Sequence, residues 1–369
     1  MITTLDDRSP TLLDELHSVR ETRRVPLVMD ARWSPAHRSA VLTAASGAVL
    51  PSTAAWATLT SGSSGSPRIV LRSAASWQES FHTVAGLLAA SPGDGILLPA
   101  PPSVSLTLFS LAHALDGGPR PVMGPVHEGT VRSSAATCFH GTPHGLRAVL
   151  DAGAPPTLRT ALVGGSHLDA VLRARVEAAG IGVISYYGAA ELSFVAVDEG
   201  EGLRPFPGVD LEIRDTELWV RSPFVALGYV GSAGPLRRDG DWATVGDRAE
   251  LVGGRLRLLG RTDDAILSAS ATIIPDEVEE ALRMIPGVRD AIVFGLPRDR
   301  VGALVAAIVE FDHPVPAEDL RRSCQESLSS AHRPRCWFVG ELPRTPSGKP
   351  ARAEAVRRAL AGEVPRLAL

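Results

Sequence analysis

Cysteine is scarce in this chain: Cys138, Cys324 and Cys336 make 3 in all, an odd number at scattered spacings. That excludes a disulfide framework and a CxxC metal site, and the three are expected to be reduced thiols of a cytoplasmic protein. Long apolar runs are absent too, and Met1 to Asp7 carries acidic residues where a signal peptide would carry apolar ones. No integral membrane association and no signal peptide are therefore expected. Charge of one sign is not in excess: the formal net charge is −4 with 21% charged residues, which does not mark the chain as a polyanion binder, so no nucleic acid is expected as a partner. There is no internal repeat and hence no solenoid. The pattern GxxxxGK[ST] is missing, which rules out a Walker loop. The 10 histidines, among them His113, His140 and His144, show no metal-ligand or triad spacing and read as surface or locally hydrogen-bonded imidazoles.

What is present points to an α/β protein of about two domains. A chain of 369 residues with 44% hydrophobic side chains can bury a large core, and its 35 glycines and 29 prolines recur between short apolar runs, as at strand–turn–helix transitions. Helices are expected near Leu12 to Arg20, in a stretch ending near Leu50, and over 78–90, Leu106 to Leu115 and Leu146 to Ala152. Val25 to Met29 is a short apolar run, and strands are expected at Ile69 to Leu71 and Ile96 to Leu98. The clearest unit runs from strand Ala161-Leu162-Val163 through a Gly164-Gly165 turn and a helix from about Asp169 to Ala179, then Gly180, to a strand Ile181 to Ser185. This is a βαβ unit, with ligands expected at the carboxyl ends of its strands. After Glu191 short strands take over, including Leu211 to Ile213, Leu218 to Arg221 and Arg255 to Leu259, which indicates a β subdomain. From Arg261 a small α+β domain is expected. Its helix, opened by Pro275 and closed by Gly287, faces Val278, Leu282 and Ile285 inward; strands at Ala291 to Phe294 and Val305 to Val309 follow, then a helix presenting Leu320, Cys324 and Leu328.

Five segments carry residues suited to chemistry. Thr60-Ser61-Gly62-Ser63-Ser64-Gly65-Ser66-Pro67-Arg68 offers close-approaching backbone N–H groups and hydroxyl donors of the kind a triphosphate needs, though a Gly/Ser linker has the same composition. In Tyr186-Tyr187-Gly188-Ala189-Ala190-Glu191 a carboxylate can hold magnesium and a tyrosine can stack on a base; an ordinary helix cap is the other reading. Asp247 suits ribose hydroxyls and Arg261 suits phosphate, although such residues also stand on plain surfaces. Lys349 sits on a Gly/Pro-flanked loop, Pro343 to Lys349, near the C-terminus, where a solvated tail is the alternative. Trp56, Trp77 and Phe81 read as core.

Taken in order, these segments resemble the adenylate-forming superfamily of acyl-CoA synthetases, luciferases and peptide-synthetase adenylation domains, over about residues 56–355. The resemblance implies a large N-terminal domain over 1–260, cut short at its start, with βαβ-type sheets plus a β subdomain, followed by a small mobile α+β lid domain over 261–369. It implies that Thr60, Ser61, Gly62, Ser63, Ser64 and Gly65 bind the ATP phosphates, that Gly164 and Gly165 approach the adenine, and that Tyr187, beside Gly188, packs against it. Glu191 would bind Mg2+, Asp247 the ribose hydroxyls, and Arg261 the ribose or phosphate. Asp263 would be the hinge between the domains, and Lys349, catalytic together with Glu191, would hold the carboxylate and the α-phosphate. The implied activity is ATP- and Mg2+-dependent conversion of a carboxylic acid to its acyl-AMP, with pyrophosphate released and the acyl group passed to coenzyme A or a carrier protein. No acidic residue stands between Pro99 and Ala114 to pair with an amino acid's ammonium, which favours a simple fatty or aryl acid.

The chain also departs from the superfamily pattern. Arg68 replaces the usual lysine, Ala190 a hydroxyl residue, Ala269-Ser270 a glycine pair on the pantetheine path, and Val104 an aromatic or histidine near the acyl site. Short members include the o-succinylbenzoate–CoA ligases of menaquinone synthesis, an alternative that would need an extra cation for the second carboxylate. A non-catalytic nucleotide- or partner-binding homologue is the alternative from another class.

Overall fold

The computed structural model describes residues 1–60, 68–124, 126–231, 234–261, 266–268, 271–298, 302–345 and 348–367. They form two compact units, the first comprising Met1–Gly246, Glu250–Arg257 and Pro346–Lys349, the second Asp247–Ala249, Leu258–Thr345 and Pro350–Leu369.

In the first unit a five-stranded sheet runs in the order Ile2–Asp6, Val25–Met29, Ala54–Thr60, Arg68–Ser73, Gly228–Tyr229. Its first three strands are parallel and the last two joins are antiparallel. Thr60 pairs with Arg68, so the two residues bounding the hydroxyl-rich glycine loop are fixed as register partners. A seven-stranded sheet follows in the order Arg204–Pro205, Ser193–Asp198, Gly182–Ala189, Thr160–Gly164, Ala136–Gly141, Gly95–Leu98, Arg120–Met123. Its parallel centre is buried and reads as continuous apolar runs such as Ala161, Leu162 and Val163. Helices Ala75–Leu87 and Ser105–Leu115 pack against each other, and Ser105–Leu115 touches Ala54–Thr60 of one sheet and Ala136–Gly141 of the other. The rings of Trp56, Trp77, Phe81 and Phe109 fill that layer, with neighbouring centroids 5.3–5.8 Å apart, as core residues.

The expected βαβ unit is present. Asp169 caps helix Ala170–Ala178 by accepting from Leu172 N–H at 2.8 Å, and Gly180, at φ +75°, ends it. One boundary moves: the strand placed at Ile181 to Ser185 spans Gly182–Ala189, so Tyr186, Tyr187 and Gly188 lie within it instead of following it. The antiparallel partner Ser193–Asp198 holds them there, which also removes the helix-cap reading.

A third sheet orders Arg237–Asp239, Trp242–Thr244, Glu217–Arg221, Asp247–Val252 and Arg255–Arg261, with Asp210–Arg214 also paired to Glu217–Arg221. The division between the units runs through its last two strands.

The second unit is α+β. Its sheet orders Ala271–Ile273, Ile266–Ser268, Gly302–Phe311, Val288–Arg298, and Cys336–Val339 joins Gly302–Phe311 in parallel. Alternation along Val288–Arg298 splits the core in two. Ala291 and Val293 pack with Val278, Leu282, Leu320 and Cys324 of helices Pro275–Arg283 and Ala317–Ser327, while Ile292 and Phe294 pack with Ala355 of helix Arg352–Ala361. The helix expected to carry Leu328 stops at Ser327; Leu328 is extended (φ −121°, ψ 138°) yet buried in the same cluster.

Candidate active site

Three parallel strands deliver their carboxyl ends to one place. Ala136–Gly141 leads into Thr142, Thr160–Gly164 into Gly165, and Gly182–Ala189 brings Tyr186 opposite Gly164. Thr142 caps the next helix, accepting from Gly145 N–H at 3.2 Å, with Pro143 at its first position. Gly165 adopts φ +90°, which glycine allows and other residues strain to reach. A Cβ built on it would lie 3.0 Å from Cε of Lys349 and 3.4 Å from Cγ2 of Thr142. A Cβ on Gly348 would lie 3.0 Å from Oγ1 of Thr142 and 3.3 Å from Cδ2 of His144. Lys349 therefore lays its stem over the second residue of the glycine pair, two sequence candidates 184 positions apart brought together. It is also the one lysine of the chain, every other cation of the Lys+Arg set being arginine.

Glu191 sits just past the same strand and is 6% exposed. Its carboxylate accepts from the Tyr229 hydroxyl at 2.8 Å, and its backbone carbonyl accepts from Ala226 N–H at 2.7 Å. Burial and the nearby Glu191 charge both push the Tyr229 phenol well above its ordinary range, with Arg68 opposing. Tyr229 pairs with Val70, two residues beyond Arg68, so Glu191 stands at the base of the hairpin whose ends are Thr60 and Arg68. The sequence places Tyr229 at the end of Glu217 to Tyr229, a segment that the resemblance marks as largely structural, and gives it no site role; that the chain holds 3 tyrosines and spends all of them at this place is the signal that marks it. Among the described residues no group of three His, Cys, Asp or Glu assembles for a metal. A lone carboxylate suits Mg2+, which commonly takes one or two carboxylates and completes its shell with phosphate oxygens and water.

Beneath Gly164 lies a polar chain that the sequence did not disclose. Ser110 Oγ is 2.8 Å from His140 Nδ1, and His140 Nε2 is 3.0 Å from the Tyr186 hydroxyl. The Tyr186 ring packs so closely on Gly164 that a Cβ there would come within 2.2 Å of it. His140 is fully buried and His113 nearly so, correcting the surface reading of both; the first is locally hydrogen-bonded, the second stacked on Phe81 at 4.6 Å. Burial, and then the neighbouring His113, push the His140 imidazole down to about 3. An unfolded histidine titrates near pH 6.5, so between about pH 6.5 and 3 the unfolded chain binds a proton that the folded chain does not. Stability is complete above that window and falls through it as pH falls, by up to about 1.4 kcal/mol per pH unit. His140→Phe is expected to lower stability at pH 7, because it strands two hydroxyls, and to flatten the decline between pH 7 and 5. Urea unfolding at both pH values checks this; an equally steep decline in the variant would refute it.

Other candidates fall as follows. Gly188 pairs with Phe194 and is pressed against the Ser193 carbonyl. Asp247 opens its strand after Gly246, at φ +85°, is half-buried and belongs to the second unit; Arg261 ends strand Arg255–Arg261 there. Val104 precedes helix Ser105–Leu115 and bridges to Leu59. Ser61, Gly62, Ser63, Ser64 and Gly65 of the glycine loop, Asp263, and the Ala269-Ser270 pair lie outside the described residues.

The chain is similar to known proteins over most of its length. Residues 2–230 match the family model described as AMP-binding enzyme, and residues 277–349 the model described as AMP-binding enzyme C-terminal domain. The first match begins well ahead of Trp56. The chain is 30% identical over 297 residues to 2-succinylbenzoate–CoA ligase of Salmonella typhimurium, covering 76% of this chain and 64% of that one. It is 33% identical over 328 residues to a probable 2-succinylbenzoate–CoA ligase of Mycobacterium tuberculosis, covering 82% and 84%. The chain thus spans less than two-thirds of the first relative and most of the second. In fold it matches a variant of Escherichia coli MenE with bound OSB-AMS at a TM-score of 0.83 and 21% identity, covering 97% of this chain and 87% of that one.

Proposed function

Because the chain belongs to the AMP-binding enzyme family, we propose that it uses ATP to convert a carboxylic acid to its acyl-AMP, releasing pyrophosphate, and then transfers the acyl group to coenzyme A. The observation that carries this reading is the meeting of Lys349 with Gly165 at the carboxyl ends of the parallel strands, where open α/β sheets bind ligands. A carboxylate that attacks the α-phosphorus brings negative charge toward negative charge. Lys349 answers it with a compact point charge on a flexible stem, a different donor from the planar fork of arginine. Gly165 gives the chain a left-handed turn with no side chain in the way, so a nucleotide can approach its backbone closely. Tyr187 offers the face for the base and Thr60 the first hydroxyl of the phosphate loop that continues through Ser61, Gly62, Ser63, Ser64 and Gly65. Glu191 would hold Mg2+, whose charge offsets that of the pyrophosphate leaving group. Asp247, Arg261 and the hinge at Asp263 keep, within this proposal, the roles that the resemblance implies.

Coenzyme A as acceptor is supported by the CoA ligases among the relatives. The substrate for which these relatives are named favours 2-succinylbenzoate, an aromatic dicarboxylate, over a plain fatty acid, and this is the second reading of the acid. Three cysteines without disulfide partners support a cytoplasmic setting.

The test is pyrophosphate release by the purified protein with ATP, Mg2+ and a panel of fatty, aryl and aromatic dicarboxylic acids, with and without coenzyme A. Acid-dependent release, quickened by coenzyme A and accompanied by a thioester, is the expected result. No release with any acid, from protein that still binds ATP, would replace this reading with that of a nucleotide- or partner-binding homologue.

A further inference from the structure

The least ordinary side chain in the first unit is Arg72, an arginine that is 0% exposed in the strand Arg68–Ser73. Strand neighbours Ile69, Val70 and Leu71 are buried core, so the guanidinium lies where an apolar side chain would cost less. It donates through Nη1 to the Ala190 carbonyl at 2.5 Å and through Nη2 to the Phe224 carbonyl. Its plane lies over the Trp77 ring, 5.4 Å from the centroid, and Nε has no hydrogen-bond partner among the described residues. Burial pushes Arg72 down to about 9, and the charge that works against this is that of Glu191.

Both carbonyls to which the guanidinium donates serve one turn. Ala190 precedes Glu191 and has no polar side chain with which to hold its own backbone. Phe224 begins the segment that supplies Ala226 N–H to the Glu191 carbonyl and Tyr229 to its carboxylate. That segment also returns to the arginine's own strand, through Leu227 N–H to Leu71 O at 2.8 Å and Tyr229 paired with Val70. Removing the carboxylate would leave a buried cation without a nearby negative charge, and removing the arginine would leave the buried Phe224 carbonyl and the part-buried Ala190 carbonyl without their donor.

We propose that Arg72 is the positioning residue of the Glu191 turn, a buried cation that ties the Ala190 carbonyl to the adjacent sheet and supplies the counter-charge to the carboxylate. The role of Glu191 toward Mg2+ rests on the function proposed above; the pairing of the two charges does not. Arg72 touches no substrate in this scheme and acts through Glu191.

A double-mutant cycle of Arg72→Met, Glu191→Gln and the double variant tests this with two readouts. In thermal unfolding Arg72→Met is expected to lower the melting temperature by about 6 °C or more. The double variant should lose clearly less than the sum of the two single losses, since it buries neither charge alone. Additive losses would overturn the pairing. If Arg72→Met does not fold, Arg72→Gln, which retains a donor for a carbonyl and loses the charge, completes the same cycle. In ATP–pyrophosphate exchange Arg72→Met should raise the Mg2+ midpoint about tenfold, as loss of a supporting partner does at metal sites, and have no further effect in the Glu191→Gln background. A rate loss with an unmoved midpoint would mean a merely structural arginine and overturn the positioning role. Wild-type protein that catalyses no exchange would count against the proposed function, while the unfolding cycle would still decide the pairing.

Discussion

Lys349→Ala is expected to slow acid-dependent adenylation by about 100- to 1,000-fold, the usual cost of deleting one donor that stabilises charge developing in a transition state. Thioester formation from supplied acyl-AMP should change far less, because the charge that Lys349 is proposed to answer would be created and discharged in the first half-reaction. The split between the two rates is the informative quantity. Equal losses in both would indicate general damage to the site, and an unchanged adenylation rate would remove Lys349 from the chemistry. Lys349→Arg should recover little: its stem lies against a glycine with a left-handed backbone, and a branched planar fork is not interchangeable with a compact ammonium. ATP–pyrophosphate exchange set beside thioester formation from synthetic acyl-AMP makes the comparison.

Gly188→Ala should be the most damaging single methyl group in the first unit. A Cβ at that position would lie 2.1 Å from the Ser193 carbonyl oxygen and 3.1 Å from its carbon. Both are backbone atoms of the strand paired to it, and Ser193 already holds φ +59°, so the hairpin cannot give way cheaply. A cost of about 3 kcal/mol is expected, a fall of roughly 6–12 °C in melting temperature. Gly86→Ala is the control: no atom stands within 4 Å of its Cβ and it lies inside helix Ala75–Leu87, so it should gain about 0.5–1 kcal/mol. Circular dichroism melts of the two variants beside the parent decide the matter, and a Gly188→Ala protein as stable as the parent would show that the hairpin yields.

The comparison of these glycines also shows how far the sequence could be read. The Gly164-Gly165 turn was visible because it falls between an apolar run and a capped helix, the local grammar of a βαβ unit. The apolar run ends at Ser185 and sets Tyr186 and Tyr187 beyond their strand, because Ser193–Asp198, which extends the pairing to Ala189, is visible only as a hydrogen-bonded neighbour. His140 gave no signal, since its partners Ser110 and Tyr186 are 30 and 46 residues away and no spacing rule connects them. Arg72 misleads in the opposite direction: a charged residue ending a short apolar run reads as a strand turning to water, whereas its guanidinium is held by the carbonyls of Ala190 and Phe224, 118 and 152 positions later in the chain. Motifs whose partners are local can be read from order alone. Those completed by tertiary pairing cannot.

The solitary position of Lys349 has a practical consequence. Protein grown with lysine labelled at the ε-carbon would show a single ε-methylene resonance, needing no assignment, from the carbon that rests over Gly165. Each nucleotide, acid or thiol added in turn would then be reported from inside the site by one peak.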